Sequence, residues 1–142
     1  MATRKSTAQW QGDLKSGNGK MALGSGAFEG AFSFASRFEE GKGTNPEELI
    51  AAAHAGCFSM ALSNMLAEAG HPPESVKTEA AVHLEMDDGN PAITRIELRT
   101  EAKVPGMEKA EFEKHAEAAK SGCPVSQLFK GAKITLETKF NA

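Results

Sequence analysis

The chain has 142 residues, 40% of them hydrophobic and 25% charged, an ordinary mix for one domain over residues 1–142. A chain of this length buries roughly 68–70% of the surface it exposes unfolded, so it needs no disulfide staples. A net charge of −3, with both signs interspersed, argues against a nucleic-acid groove, a basic membrane patch or a charged tail. No apolar run approaches the ~18 residues of a membrane span. Met1-Ala2-Thr3-Arg4-Lys5-Ser6 leads straight into polar sequence with no signal-peptide core. The expectation is a cytoplasmic protein with no nucleic-acid partner and no membrane.

The stretch 1–43 is Gly-rich and alternating, and predicts strands. Ala8, Trp10 and Gly12 alternate with Gln9 and Gln11, followed by a turn cluster over Lys15–Gly19. Met21–Leu23 and Phe28–Phe38 are further strand candidates. Phe32, Phe34 and Phe38 are spaced to share one face of an extended strand. Asn45-Pro46-Glu47-Glu48 reads as a helix start, with Asn at the N-cap, Pro at N1 and carboxylates at the positive end of the dipole. That helix should run to Gly70, ahead of Pro72 and Pro73. From Leu49 to Leu66 it is nearly free of charge, so it belongs in a core or under a second subunit. Its ~36 Å length is large for a domain of this size.

Beyond Pro73, Ala80, Val82, Leu84 and Met86 alternate, Asp87–Pro91 is a turn, and Ile96, Leu98, Thr100, Ala102 and Val104 resume the period, which predicts an antiparallel hairpin. Met107–Ser121 is an amphipathic helix that Gly122 stops. Cys123-Pro124 opens a short helix through Phe129, and Ile134, Leu136, Thr138 and Phe140 form a last strand. The class is α+β.

Two cysteines far apart in a reducing compartment are not a disulfide framework. On local physics Cys123 is the more reactive, because Gly122 and Pro124 put it at a helix N-cap, where free N–H groups favour a thiolate. Cys57 lies within His54-Ala55-Gly56-Cys57-Phe58-Ser59, mid-helix, where burial alone would raise its pKa and leave it inert. Reactivity there requires a cation. Arg37, inside Phe34-Ala35-Ser36-Arg37-Phe38, is an arginine among apolar residues and so needs a partner, a thiolate or a carboxylate; a structural ion pair is the plainer alternative. Glu47 stands ten positions before Cys57, a helical rise of about 15 Å and a rotation of about 1000°. It cannot touch the Cys57 of its own helix, so if both serve one site they come from different chains. His54 and Cys57 share a helical face, but His71, His83 and His115 are scattered and no CxxC exists; zinc needs three or four convergent ligands, so no metal is expected. Gly41-Lys42-Gly43-Thr44 lacks P-loop spacing.

The string from Lys42-Gly43-Thr44-Asn45-Pro46-Glu47-Glu48-Leu49 through His54-Ala55-Gly56-Cys57-Phe58-Ser59-Met60-Ala61-Leu62 resembles the OsmC/Ohr family of thiol peroxidases. So does Ala119-Lys120-Ser121-Gly122-Cys123-Pro124-Val125-Ser126. Placing Arg37 in the strand before the Asn-Pro-Glu helix points to the OsmC branch. The resemblance implies an OsmC-like fold, with antiparallel sheets around a long buried central helix, in an intertwined homodimer with sites at the interface. It implies reduction of organic hydroperoxides to alcohols with no cofactor and no metal. Cys57 is then the peroxidatic nucleophile, Cys123 the resolving cysteine, and Arg37 and Glu47 the activating pair. An external dithiol completes the cycle, a lipoylated protein being the family-based suggestion. Osmotic or oxidative stress is the expected setting. Phe32, Phe34 and Phe58 would form an apolar wall suited to bulky peroxides. The competing reading is a non-catalytic stress protein or apolar-ligand carrier on the same fold, which would need none of Arg37, Glu47, Cys57 and Cys123.

Overall fold

The computed structural model describes residues 2–142. The chain divides into two compact units, one ending at Leu49 and the other running from Ile50 to Ala142.

In the first unit, β1 (Ser6–Gln11), β2 (Asn18–Leu23) and β3 (Glu29–Phe32) form an antiparallel sheet in that order. Trp10 and Phe32 meet at 5.2 Å between ring centroids above Gly19, where a Cβ would stand 2.6 Å from the Phe32 ring. Only glycine admits that approach. The expected strand over Phe28–Phe38 ends at Phe32, and helix α1 (Phe34–Phe38) takes over. Arg37 is therefore helical and the three phenylalanines share no strand face, which corrects the sequence reading. The cause is a capping box: Ser36 N–H donates to Ser33 Oγ at 3.1 Å and Ser33 N–H to Ser36 Oγ at 2.8 Å. Two serines three apart satisfy each other's backbone and outweigh the alternating pattern. Phe34 and Phe38 still meet, at 4.9 Å between centroids, as i,i+4 neighbours on a helix.

Helix α2 (Pro46–Glu68) opens as its sequence predicts. Glu48 N–H donates to Asn45 Oδ1 at 2.7 Å, and Glu47 and Glu48 lie in the first turn. By length and composition alone it is long and apolar enough to cross a membrane. This corrects the expectation that no stretch reaches that length: alanines fill the gaps between larger apolar residues. Nor is it buried all round. His54, Phe58, Leu62 and Leu66, four apart, are buried, whereas Ala52, Ala53, Gly56, Met60, Asn64 and Ala67 are exposed.

The second unit holds β4 (Ser75–Asp87), β5 (Asn90–Lys103) and β6 (Lys133–Asn141), in that order across one sheet. β4 and β5 form the predicted hairpin, closed by Asp88 at φ 51° and Gly89 at φ 80°, a left-handed pair of the kind tight hairpin turns use. β6 lies parallel to β5, so this sheet is mixed, correcting the expectation of antiparallel sheets alone. A parallel neighbour needs a crossover, and α3 (Lys109–Gly122) with α4 (Pro124–Leu128) supplies it. In-register rows run across one face: Val82–Ile96–Ile134, Ala80–Leu98–Leu136, Thr78–Thr100–Thr138 and Val76–Ala102–Phe140. Against these rows α2 contributes Phe58, Leu62 and Leu66, and α3 contributes Phe112, Ala116 and Ala119, to one continuous core.

Candidate functional site

In the first unit, the α1–α2 loop brings an arginine onto a carboxylate. Ser36 Oγ donates to Thr44 O at 2.7 Å and Asn45 Nδ2 to Ser36 O at 3.0 Å, so the two helix starts are tied together. Arg37 then faces Glu47: Nε donates to Oε1 at 2.9 Å. The Glu47 side chain is only 10% exposed and that of Arg37 35%. Glu47 Oε2 is buried with no protein partner. Among the described residues only Glu47 hydrogen-bonds the guanidinium, which also lies 5.4 Å over the Phe38 ring, and its terminal nitrogens are left to donate to an oxygen ligand. A concavity of about 230 Å³ opens beside it, walled by Trp10, Leu14, Phe32, Phe34 and Phe38. Phe32 and Phe34, expected to wall a peroxide site, line this concavity beside Arg37. Phe58 does not; it is fully buried core.

In the second unit, α4 gathers the two cysteines. Cys123 is its N-cap, as Gly122 and Pro124 predict, and Ser126 N–H donates to Cys123 Sγ at 3.3 Å. One position earlier, the Val125 N–H acts on Cys57 in favour of its thiolate, though less than burial opposes it. Burial nonetheless pushes the Cys57 thiol above its ordinary pKa, and the adjoining Cys123, as hydrogen-bond partner and as charge, adds to the rise. Cys57 is half-buried rather than fully enclosed as its helix predicts, yet the burial it has still disfavours its thiolate. Both thiols are free, and Cys123 is near enough to Cys57 to act on its titration.

Two residues that the sequence reading left outside the site adjoin Cys123. Its Sγ–H donates to Ser126 Oγ at 3.1 Å, and Ser126 Oγ lies 2.7 Å from His54 Nε2. All three are buried. His54 stacks edge-on to Phe129 at 5.6 Å, and its Nδ1 has no partner. Burial holds the imidazole below its ordinary pKa of 6.5, so it is neutral at pH 7. The signals were present in the sequence: His54 precedes Phe58, Leu62 and Leu66 at four-residue steps, and Ser126 follows Cys123 at capping distance. Among the described residues no three His, Cys, Asp or Glu are grouped to hold a metal ion.

Residues 39–139 match the family model described as OsmC-like protein. The chain is 51% identical over 135 residues to Peroxiredoxin OsmC of Escherichia coli K12, covering 94% of each. It is 37% identical over 92 residues to the Organic hydroperoxide resistance protein of Xanthomonas axonopodis pv. citri, covering 64% of this chain and 63% of that one. The organic hydroperoxide resistance protein OhrB of Bacillus subtilis superposes with a TM-score of 0.74 at 26% identity, over 97% of this chain and 98% of that one.

Proposed function

Because the chain belongs to the OsmC-like protein family, we propose that it is a thiol peroxidase that reduces organic hydroperoxides to alcohols. The observation that carries this reading is that Cys123, the N-cap of α4, is near enough to Cys57 to raise its thiol pKa. A carrier has no use for two neighbouring free thiols. The names of the relatives, a peroxiredoxin and an organic hydroperoxide resistance protein, point to the same chemistry.

The Cys57 thiolate attacks the distal peroxide oxygen; the O–O bond breaks, and the alkoxide leaves as alcohol by taking up a proton. Cys57 is left as a sulfenic acid. Cys123 then attacks the Cys57 sulfur, expelling water and forming the disulfide, which an external dithiol reduces. A lipoylated protein is one such dithiol. Arg37, oriented by Glu47, lowers the Cys57 pKa and steadies charge on the peroxide oxygens. Phe32 and Phe34 beside Arg37 suit a bulky apolar peroxide substituent.

The active form is a homodimer. Glu47 and Cys57 lie about 15 Å apart along α2, so an Arg37–Glu47 pair serving Cys57 comes from the partner chain. The exposed Ala53, Gly56 and Met60 face of α2, with Met60 76% exposed, is the apolar surface a second subunit would cover. The family match crosses both compact units, which supports reading residues 1–142 as one domain. The protein works in the cytoplasm, apart from membranes and nucleic acid. Cumene hydroperoxide consumption in the presence of a dithiol tests the activity. Turnover by the wild type and none by Cys57→Ser is expected; equal rates would refute it.

A further inference from the structure

We propose that Ser126 and His54 form a proton path that activates Cys123 for disulfide closure, with Ser126 in contact with the reacting sulfur and His54 as the positioning residue behind it. The inference rests on the peroxidase reading and concerns its second step alone. Cys123 Sγ–H, Ser126 Oγ–H and His54 Nε2 make a chain with links of 3.1 Å and 2.7 Å, each member buried to within 3% of fully. In the arrangement that carries a proton, the thiol donates to Oγ and the hydroxyl donates to a bare Nε2, with the ring hydrogen on Nδ1. Nδ1 has no partner, and an unmet buried polar group costs about 1–3 kcal/mol. Such a cost at a non-catalytic core position calls for a reason.

The reason is that both hydrogen bonds can reverse together. The thiol proton passes to Ser126 Oγ while the hydroxyl proton passes to Nε2. This leaves a thiolate at Cys123 that accepts from Ser126 Oγ–H and from Ser126 N–H, the latter already 3.3 Å from Sγ. The thiolate attacks the sulfenic sulfur of Cys57; the S–S bond forms, the S–O bond breaks and hydroxide departs. Net, the proton lost by Cys123 ends in the departing water and His54 is neutral again. When the external dithiol later opens the disulfide, the dithiol's own two protons restore the thiols. His54 thus acts on a sulfur it does not touch, as a base kept neutral by its burial.

The test separates two rates in reduced protein mixed with cumene hydroperoxide: appearance of Cys57 sulfenic acid, trapped with dimedone, and its conversion to disulfide, followed by mass. Ser126→Ala and His54→Gln should slow closure about a hundredfold more than they slow sulfenic acid formation. Ser126→Thr, which keeps the hydroxyl, should restore closure. Closure at the wild-type rate in Ser126→Ala, an equal slowing of both steps, or failure of Ser126→Thr to rescue would each overturn the proposal. Should His54→Gln fail to fold, the two Ser126 variants decide alone. Cumene hydroperoxide left unconsumed and both thiols surviving in the wild type would instead refute the peroxidase reading.

Discussion

Arg37 Nε donates to Glu47 Oε1 across 2.9 Å, joining α1 to the first turn of α2. The carboxylate is the more buried partner, so it fixes the guanidinium. Arg37→Ala is expected to slow peroxide reduction by about a thousandfold, since it removes the charge that activates the thiolate and steadies the peroxide oxygens. Glu47→Ala should slow it less, because Glu47 only orients Arg37. Stopped-flow rates of Cys57 oxidation in both variants check the order. A larger loss in Glu47→Ala would reverse the assigned roles.

The cysteines should behave unequally. Cys57→Ser is expected to consume no peroxide from the first turnover. Cys123→Ser should react once and then over-oxidise, because its sulfenic acid meets no second thiol. Intact mass after a few equivalents of cumene hydroperoxide reads both outcomes. Equal residual turnover in the two variants would contradict the assignment.

A site shared between chains gives a sharper expectation. Sedimentation should show a dimer at micromolar concentration. Mixing Cys57→Ser chains with Glu47→Ala chains places both lesions at one site of the mixed dimer and leaves the other whole, so activity should return. Mixed dimers that stay inactive, while each parent folds and dimerises, would refute the shared site.

His54 also sets a pH dependence of stability. Its folded pKa lies below the ordinary 6.5 because burial disfavours the imidazolium. The unfolded chain therefore binds more protons near pH 6, and the contribution is present above pH 6.5 and lost as pH falls below it. Urea midpoints of the reduced protein should fall on acidification from pH 7 to pH 5, more steeply than those of His54→Gln. Parallel curves would show that His54 is not buried neutral.

The parts of this arrangement that depend on local chemistry were legible in the sequence. Asn45 and Pro46 start α2, Cys123 caps α4, and Asp88-Gly89 turns the hairpin, each because a residue type is needed at that backbone position. The phenylalanine spacing around Arg37 fits both a strand and a helix, and the serine pair that decides for a helix is short. The direction of β6 is not readable, since alternation looks the same in parallel and antiparallel strands. In the sequence alone, His54 stands out only as a candidate metal ligand. Its partner Ser126 is 72 positions away, and no local pattern announces a contact of that range.

The central claim, that Cys57 and Cys123 are a peroxide-reducing pair, is met most directly by titrating fully reduced protein with cumene hydroperoxide and counting thiols. One equivalent per chain is expected to remove both thiols, release one cumyl alcohol and leave a Cys57–Cys123 disulfide within the chain. Both thiols surviving that equivalent, with the peroxide intact, would contradict the account.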